Sequence, residues 1–397
     1  MEQESTYKNI AIIGFGAAGG FAAVLACKNP CLKITVFDEK EPFSTLLPTG
    51  GGRCNLTYAE PDIKEFAKNY PRGEKFLLSV FSKLSQSKTR ALFKDLGIKT
   101  YVQPDKRVFP VSDSSKTIIN DLKKHLNNVN HIKENVTEIK KENDFFIIKT
   151  PNNTYTFDAV ILTTGGKGFE LAESLGHKII EPKPSLTALN IKENYLYNLS
   201  GLSFKDVEIN TKLSKKKFPI CTGDILFTHN SISGPCIFKV SALTAFEDFN
   251  GNNPLEITLK LTDITQEEID EYISENTKKT IKNVFCNFAP ESYINEILKA
   301  NNIDANKQIS QIKKAEKEIL ISSLISLKLN VIERKQGSEI VTAGGVDLNE
   351  VNPKTMESKL LNGLFFAGEI LNIDGYTGGF NLQNCWSTAY VVICNFN

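Results

Sequence analysis

The stretch KNIAIIGFGAAGGFAAVLACKNPCLKITVFD, residues 8 to 38, restricts the fold more than any other part of the chain. Lys8 to Ile13 is a short, apolar, buried-strand pattern. Gly14-Phe15-Gly16-Ala17-Ala18-Gly19 follows, then an alanine-rich helix to about Lys28, then a second strand, Lys33 to Asp38, that ends in an acid. Strand, glycine turn, helix, strand and acid in this order predict a dinucleotide-binding βαβ unit, with the acid about twenty residues past the last glycine. Gly14 permits the tight turn, Gly16 lets backbone approach a pyrophosphate, and Gly19 lets the helix pack on the strand. The helix start, with Ala17 and Ala18, offers N–H groups and a positive dipole end to phosphate. Asp38 accepts from ribose hydroxyls, with Glu39 as the alternative.

A chain of 397 residues exceeds one small core and predicts two or three domains. The formal net charge of +1 sets up no global field toward nucleic acid or membrane. Lysine clusters at Lys215-Lys216-Lys217, Lys278-Lys279 and Lys313-Lys314 read as solvated faces. The start, MEQESTYKNI, is polar and acidic, unlike a signal peptide, and no apolar stretch is long enough to span a bilayer. These features predict a cytoplasmic protein. Eight cysteines include no C-x-x-C pair and only four histidines are present, which argues against a metal site.

Further along, helical patterns run from Glu74 to Leu84 and from Ser87 to Leu96. A third runs to about Leu126, with Ser112 or Asp113 as its N-cap. Phe145–Lys149 and Thr154–Phe157 read as strands around a turn, and Ala159 to Thr164 as a buried strand ending at Gly165-Gly166. The character then changes. Strands at Leu186–Ile191, Ser203–Asn210 and Asp224–Phe227 precede a helix opened by Ser233-Gly234-Pro235. A strand at Leu255–Leu261 and four helical stretches between Thr265 and Leu327 complete this region. The first style returns with Glu339 to Ala343, Leu364 to Ala367 and a helix from about Leu382 to Cys394. The expected architecture is α/β: a discontinuous Rossmann-type domain, 1–190 and 336–397, around an insert at 191–335. The insert divides into a β part at about 191–262 and a helical part at about 263–335.

One segment needs its own account: TGGGRCNLT, Thr49 to Thr57. Gly50, Gly51 and Gly52 bring backbone N–H groups close to a ligand with no Cβ in the way. Arg53 adds a fixed positive charge, and Asn55 closes the motif. Cys54 has two readings, a small thiol packed under the loop or a proton donor at its ordinary pKa beside the ligand.

The blocks IAIIGFGAAGG, TGGGRCNLT, RVFPVSD, VILTTGGK, GDILFTHNSISGP and TAGGVDLNEVNPKTMESKLLNGLFFAGEILNIDGYTGGFNLQNCWSTAY span nearly the whole chain. In them the chain resembles the bacterial NAD(P)/FAD-dependent oxidoreductases of the BaiN and RdsA type, the aminoacetone-oxidase-like flavoproteins. The resemblance implies bound FAD, with NADH or NADPH as a transient reductant. It extends the cofactor contacts to Thr164, Gly165 and Gly166, and to Gly368 and Glu369 near the ribityl chain. Asp374, Gly378, Gly379, Phe380, Asn381 and Gln383 are placed around the isoalloxazine. It also implies reduction of an activated C=C bond, in a bile-acid intermediate or a ribosomal RNA uridine. Cys54, His229 and Tyr376 are the candidate acids. The chain departs from the pattern in several places. Phe43-Ser44-Thr45 replace Gly-Arg-Lys, the loop after Gly166 is cut to Lys167-Gly168-Phe169, Ser231 replaces glycine, and Tyr58 replaces asparagine. A small enone, an amine oxidised with oxygen, and a non-catalytic RNA- or protein-binding flavoprotein are the other readings.

Overall fold

The computed structural model describes residues 9–214, 217–337 and 340–396. Lys8, Lys215, Lys216 and Glu339, which entered the sequence reading, lie outside them. The chain divides into two compact units, residues 1–183 with 341–397, and residues 184–340.

The first unit is built on a five-stranded parallel sheet. Its strands are β1 (Asn9–Ile13), β2 (Lys33–Phe37), β3 (Val129–Ile132), β4 (Ala159–Leu162) and β5 (Leu364–Phe366), in the order β5-β4-β1-β2-β3. Ile10, Ala11, Ile12 and all of β4 and β5 are buried, which explains their uninterrupted apolar runs. Helix α1 (Ala17–Ala26) is buried along its whole length and packs against helix α2 (Phe380–Ile393). The last strand and the last helix of the chain thus complete a layer begun by the first.

Three antiparallel strands, Glu138–Glu142, Phe145–Lys149 and Thr154–Phe157, form a meander. A second small sheet joins Thr57–Tyr58, Arg107–Pro110 and Thr100–Val102. The helix expected to start at Ser112 or Asp113 starts at Ser115, with Ser114 as its N-cap. Asp113 instead has φ 48°, which is not an N-cap conformation, and its carboxylate accepts from Tyr101 Oη at 2.8 Å.

The second unit has its own core. Six antiparallel strands close into a barrel in the order Leu189–Ile191, Ser231–Ser233, Cys221–Phe227, Ser203–Thr211, Leu255–Lys260 and Leu327–Arg334. The last of these corrects the sequence reading, which placed residues up to 335 in a helical part. In LKLNVIER, Leu327, Leu329 and Val331 are buried while Lys328 and Asn330 between them are exposed and half-buried, the period of a strand with one face in the core. Four helices, Gln266–Glu275, Ile281–Phe285, Glu291–Ala300 and Lys314–Ile325, lie between the two final strands. A capping box, Thr265 with Glu268, fixes the start of the first. Pro235 occupies the first turn of the helix Pro235–Leu243, where its missing N–H costs nothing.

Candidate functional site

The carboxyl ends of the parallel strands bring four predicted segments together: Gly14–Gly19 after β1, Asp38 after β2, Thr164–Gly166 after β4 and Gly368–Glu369 after β5. In open α/β sheets this edge is where ligands bind. Gly14 has φ 101°, and a Cβ there would lie 2.6 Å from the Thr163 carbonyl oxygen. On Gly19 a Cβ would lie 2.0 Å from Gly14 O and 2.4 Å from Thr163 Oγ1, so helix and strand touch through backbone. Thr163 Oγ1 donates to Ile13 O at 2.8 Å and ties β4 to the end of β1. Gly16 is the N-cap of α1, has no side-chain cap, and is followed by a first turn without acidic residues. That helix start is a positive dipole end with unclaimed N–H groups.

Asp38 is half-buried. Its Oδ2 accepts from Phe15 N–H at 2.7 Å and its Oδ1 from Lys40 N–H at 2.9 Å, so the carboxylate is held at the end of the glycine turn. Glu39 is exposed. Thr45 lies across from Gly16, with its Oγ1 3.1 Å from where a Cβ would stand. Phe43 adopts φ 62°, in the left-handed region where a bulky residue is an outlier, and its buried ring covers Gly20.

In the TGGGRCN segment Gly50, Gly51 and Gly52 have φ of 58°, 67° and 83°. A Cβ on Gly51 or Gly52 would meet nothing within 4 Å. These residues turn backbone toward open space, as an approaching ligand requires. Arg53 stacks its guanidinium 4.2 Å from the centre of the Phe109 ring and lies 3.9 Å from the Asp113 carboxylate. Of its two readings, Cys54 has the burial of a thiol packed under the loop and not the ordinary pKa of an exposed donor. It is fully buried at φ 62°, and desolvation pushes its thiol up to about 12 against a small opposing hydrogen bond with Thr49. The thiol lies in packing and not on a cavity wall. Asn55 is also enclosed. Its amide donates to the Thr57 and Val108 carbonyls, at 3.0 and 3.2 Å, and accepts from Gly379 N–H at 3.2 Å.

The polar side chains expected around the isoalloxazine are largely engaged within the scaffold. Asp374 is buried in a two-point ion pair with Arg72. Asn381 bonds both ways to Gly375, at 2.8 Å each, and closes the loop 375–381. Gln383 points into the core, where Nε2 donates to Thr89 Oγ1 and Ser387 Oγ at 2.7 Å. The reason is helical geometry: Gln383 and Ser387 lie four residues apart on the buried face of α2. Phe380 packs among Phe66, Tyr70 and Tyr58. Gly378 and Gly379, at φ 128° and 95°, open α2 with Gly379 as its N-cap; a Cβ on Gly379 would strike Thr57 backbone at 2.7 Å. Tyr376 is half-buried and donates its N–H to Asn69 O at 2.9 Å. His229 belongs to the second unit, exposed in the turn between two barrel strands.

Glu369 accepts from Thr342 N–H at 3.2 Å, while burial pushes its carboxyl up to about 7. The sequence assigned no site role to Arg72, Thr45 or Thr342. Arg72 stands in no motif; Thr45 lies where the chain departs from the family pattern and Thr342 opens a matching block, and the role of each is set by the neighbour it touches.

The residues fit a flavin dinucleotide on three observations. Thr164 Oγ1 is buried without a hydrogen-bond partner, the first turn of α1 is uncapped, and Gly51, Gly52 and Gly165 turn positive-φ backbone to open space. No group of three or more His, Cys, Asp and Glu among the described residues is arranged to hold a metal ion, and no helix among them is long and apolar enough to cross a membrane.

Relatives and solved structures extend the reading. Over 96% of its length the chain is 28% identical to the 3-dehydro-bile acid delta(4,6)-reductase of Clostridium scindens, covering 97% of that protein. It is 29% identical to the ribosomal RNA dihydrouridine synthase of Haemophilus influenzae, across 97% of this chain and 98% of that one. The fold is similar to that of 3-ketosteroid delta1-dehydrogenase from Sterolibacterium denitrificans, with TM-score 0.53, 9% identity and 98% of each chain covered. The HI0933-like protein Rossmann domain matches residues 8–394, and the chain belongs to that family.

Proposed function

We propose that this protein is an FAD-dependent reductase of an activated C=C bond, driven by NADH or NADPH, with a uridine of large-subunit ribosomal RNA as the leading substrate. The reaction class is oxidoreduction, as the name of one full-length relative, a reductase, states for that protein, and the RNA substrate is that named for the other, a ribosomal RNA dihydrouridine synthase. The observation that carries the reading is the convergence of Gly14–Gly19, Asp38, Thr164–Gly166 and Gly368–Glu369 on one edge of the sheet. The reading places the reaction in the cytoplasm, where ribosomal RNA is found.

In this reading α1 and Gly16 hold the pyrophosphate, Asp38 the adenosine ribose and Glu369 the ribityl chain. The backbone of Gly50–Gly52 and the start of α2 face the ring system. When bound, the flavin supplies hydride chemistry; the protein supplies position, charge and the proton. Of the three candidate acids, Tyr376 is favoured here. Cys54 is enclosed, whereas Tyr376 is half-exposed in the loop that leads into α2. A phenol keeps its proton at neutral pH and is able to donate it to the carbon next to the one that is reduced. Arg53, fixed by Phe109 and Asp113, adds a positive charge for phosphate or for a developing enolate.

The test has two parts. Flavin released by denaturation is chromatographed, and dihydrouridine in ribosomal RNA is mapped in deletion and parent strains. FAD and a modification lost on deletion are expected. FMN alone, or protein that stays colourless in the presence of FAD, would sink the cofactor assignment. An unchanged RNA map would move the substrate to a small enone, the class in the name of the other relative.

A further inference from the structure

Tyr58 has no role in the site as described so far. It ends the short strand Thr57–Tyr58, paired with Arg107 across the ladder. Its ring centre lies 5.0 Å from that of Phe380, the first residue of α2, at an interplanar angle of 35°. A Cβ on Gly378 would stand 3.6 Å from Tyr58 Cδ2, so the ring borders the glycine pair that opens the helix. The ring is only half-buried, and its phenol has no hydrogen-bond partner among the described residues. Phe380 and the rings packed beyond it, Phe66, Tyr70 and Phe81, are buried. Tyr58 is therefore the one member of this aromatic group that is backed by a neighbouring ring on one side and still half-exposed, with a phenol that makes no hydrogen bond among the described residues. Such a residue suits contact with a flat conjugated ring.

We infer that Tyr58 is a positioning residue that stacks against the isoalloxazine beside the start of α2 and covers part of one face. Reductant and substrate then use the opposite face. This rests on the flavin site proposed above. Phe380 backs the Tyr58 ring and limits its rotation, and the Thr57–Val108 ladder pair fixes the backbone beneath it.

A tyrosine ring in contact with a flavin quenches flavin fluorescence by electron transfer, and phenylalanine does not. The experiment measures the fluorescence lifetime of bound FAD in the wild type, Tyr58→Phe and Tyr58→Ala, and in the same series carrying Tyr376→Phe. Thermal melting and flavin stoichiometry check that each variant is folded and loaded. The expected result is a lifetime several-fold longer in Tyr58→Phe, with collisional quenching by iodide unchanged because a ring still covers the face. In Tyr58→Ala iodide quenching should rise as well. A lifetime equal to that of the parent in Tyr58→Phe, in both series, would overturn the inference and leave the flavin site standing. If the wild type binds no FAD, the flavin reading falls and this inference falls with it.

Discussion

Two groups of motif residues lie in the first unit, and they use their chemistry in opposite ways. At the carboxyl edge of the parallel sheet the parts that fit a ligand are backbone: the left-handed Gly14, the uncapped start of α1, and the turns after β4 and β5. In the TGGGRCN and TGGFNLQ segments the side chains that look chemical are mostly satisfied by the protein itself. Asp374 holds Arg72, Asn381 holds Gly375, Gln383 holds Thr89 and Ser387, and Asn55 holds two strands and Gly379. A polar residue in a recognisable motif is thus as able to build the cradle as to line it. A buried donor or acceptor left unpaired costs about 1–3 kcal/mol, so enclosed polar groups are drawn into such internal pairs.

The largest expected effect sharpens this contrast within a single turn. Gly19→Val should abolish folding, because its Cβ would overlap Gly14 O, and no soluble, cooperatively melting protein should be recovered. Gly16→Ala meets only the Thr45 side chain, at 3.1 Å, and should fold while weakening FAD binding by about tenfold or more. Equal melting temperatures for the two variants would erase the distinction between packing and binding glycines.

Breaking the Arg72–Asp374 pair comes next. Asp374→Asn leaves a nearly enclosed guanidinium without its carboxylate and should cost about 3–5 kcal/mol by denaturant titration. A loss below about 1 kcal/mol, together with weakened flavin binding, would return Asp374 to the ligand side of the comparison.

Glu369 gives a pH-dependent effect. Its folded-state pKa is raised by burial from 4.5 to about 7, so the protonated form is the one the native state prefers. The stability it contributes is complete below about pH 4.5 and is lost as pH rises toward 7, by up to about 3 kcal/mol. Glu369→Gln should flatten that slope in melting experiments between pH 4.5 and 7.5. An unchanged slope would show that the carboxyl is not the source. His177 works in the opposite direction at the acid end. Burial lowers its pKa against the opposing pull of Glu350, so its contribution is present above about pH 6.5 and is lost as pH falls.

The smallest effect concerns Cys54. Cys54→Ala removes a buried thiol and should cost about 1 kcal/mol of stability while leaving flavin reduction and substrate turnover near parental rates. A fall of about a hundredfold in the oxidative half-reaction, with flavin reduction intact, would make the thiol the proton donor despite its enclosure.

How far the sequence could be read depended on the kind of signal. The βαβ unit from Asn9 to Phe37, the meander strands Phe145–Lys149 and Thr154–Phe157, and the return of the last strand and helix all follow from periodicity and glycine placement. The final barrel strand, Leu327–Arg334, was hidden because it follows a long helix with no glycine or proline between them. Ser112 and Asp113 have the composition of an N-cap. Whether either serves depended on where the chain enters the helix, and Tyr101 claims Asp113 from a neighbouring strand.

By itself the sequence determined the class of the fold and the glycine geometry of the candidate site. A glycine spacing carries its own steric meaning: only a residue without Cβ fits φ 101° at Gly14 or the contact at Gly19. Tertiary structure alone decided what each polar or aromatic side chain faces. Arg72 and Asp374 are 302 residues apart in the chain, Gln383 and Thr89 are 294 apart, and no local pattern encodes such a pair. Cys54 was made a packed thiol, Gln383 a core amide and Tyr58 a ring with an open face by the same physical cause. Burial and partner are properties of a three-dimensional neighbourhood, which the chain acquires only when distant segments meet.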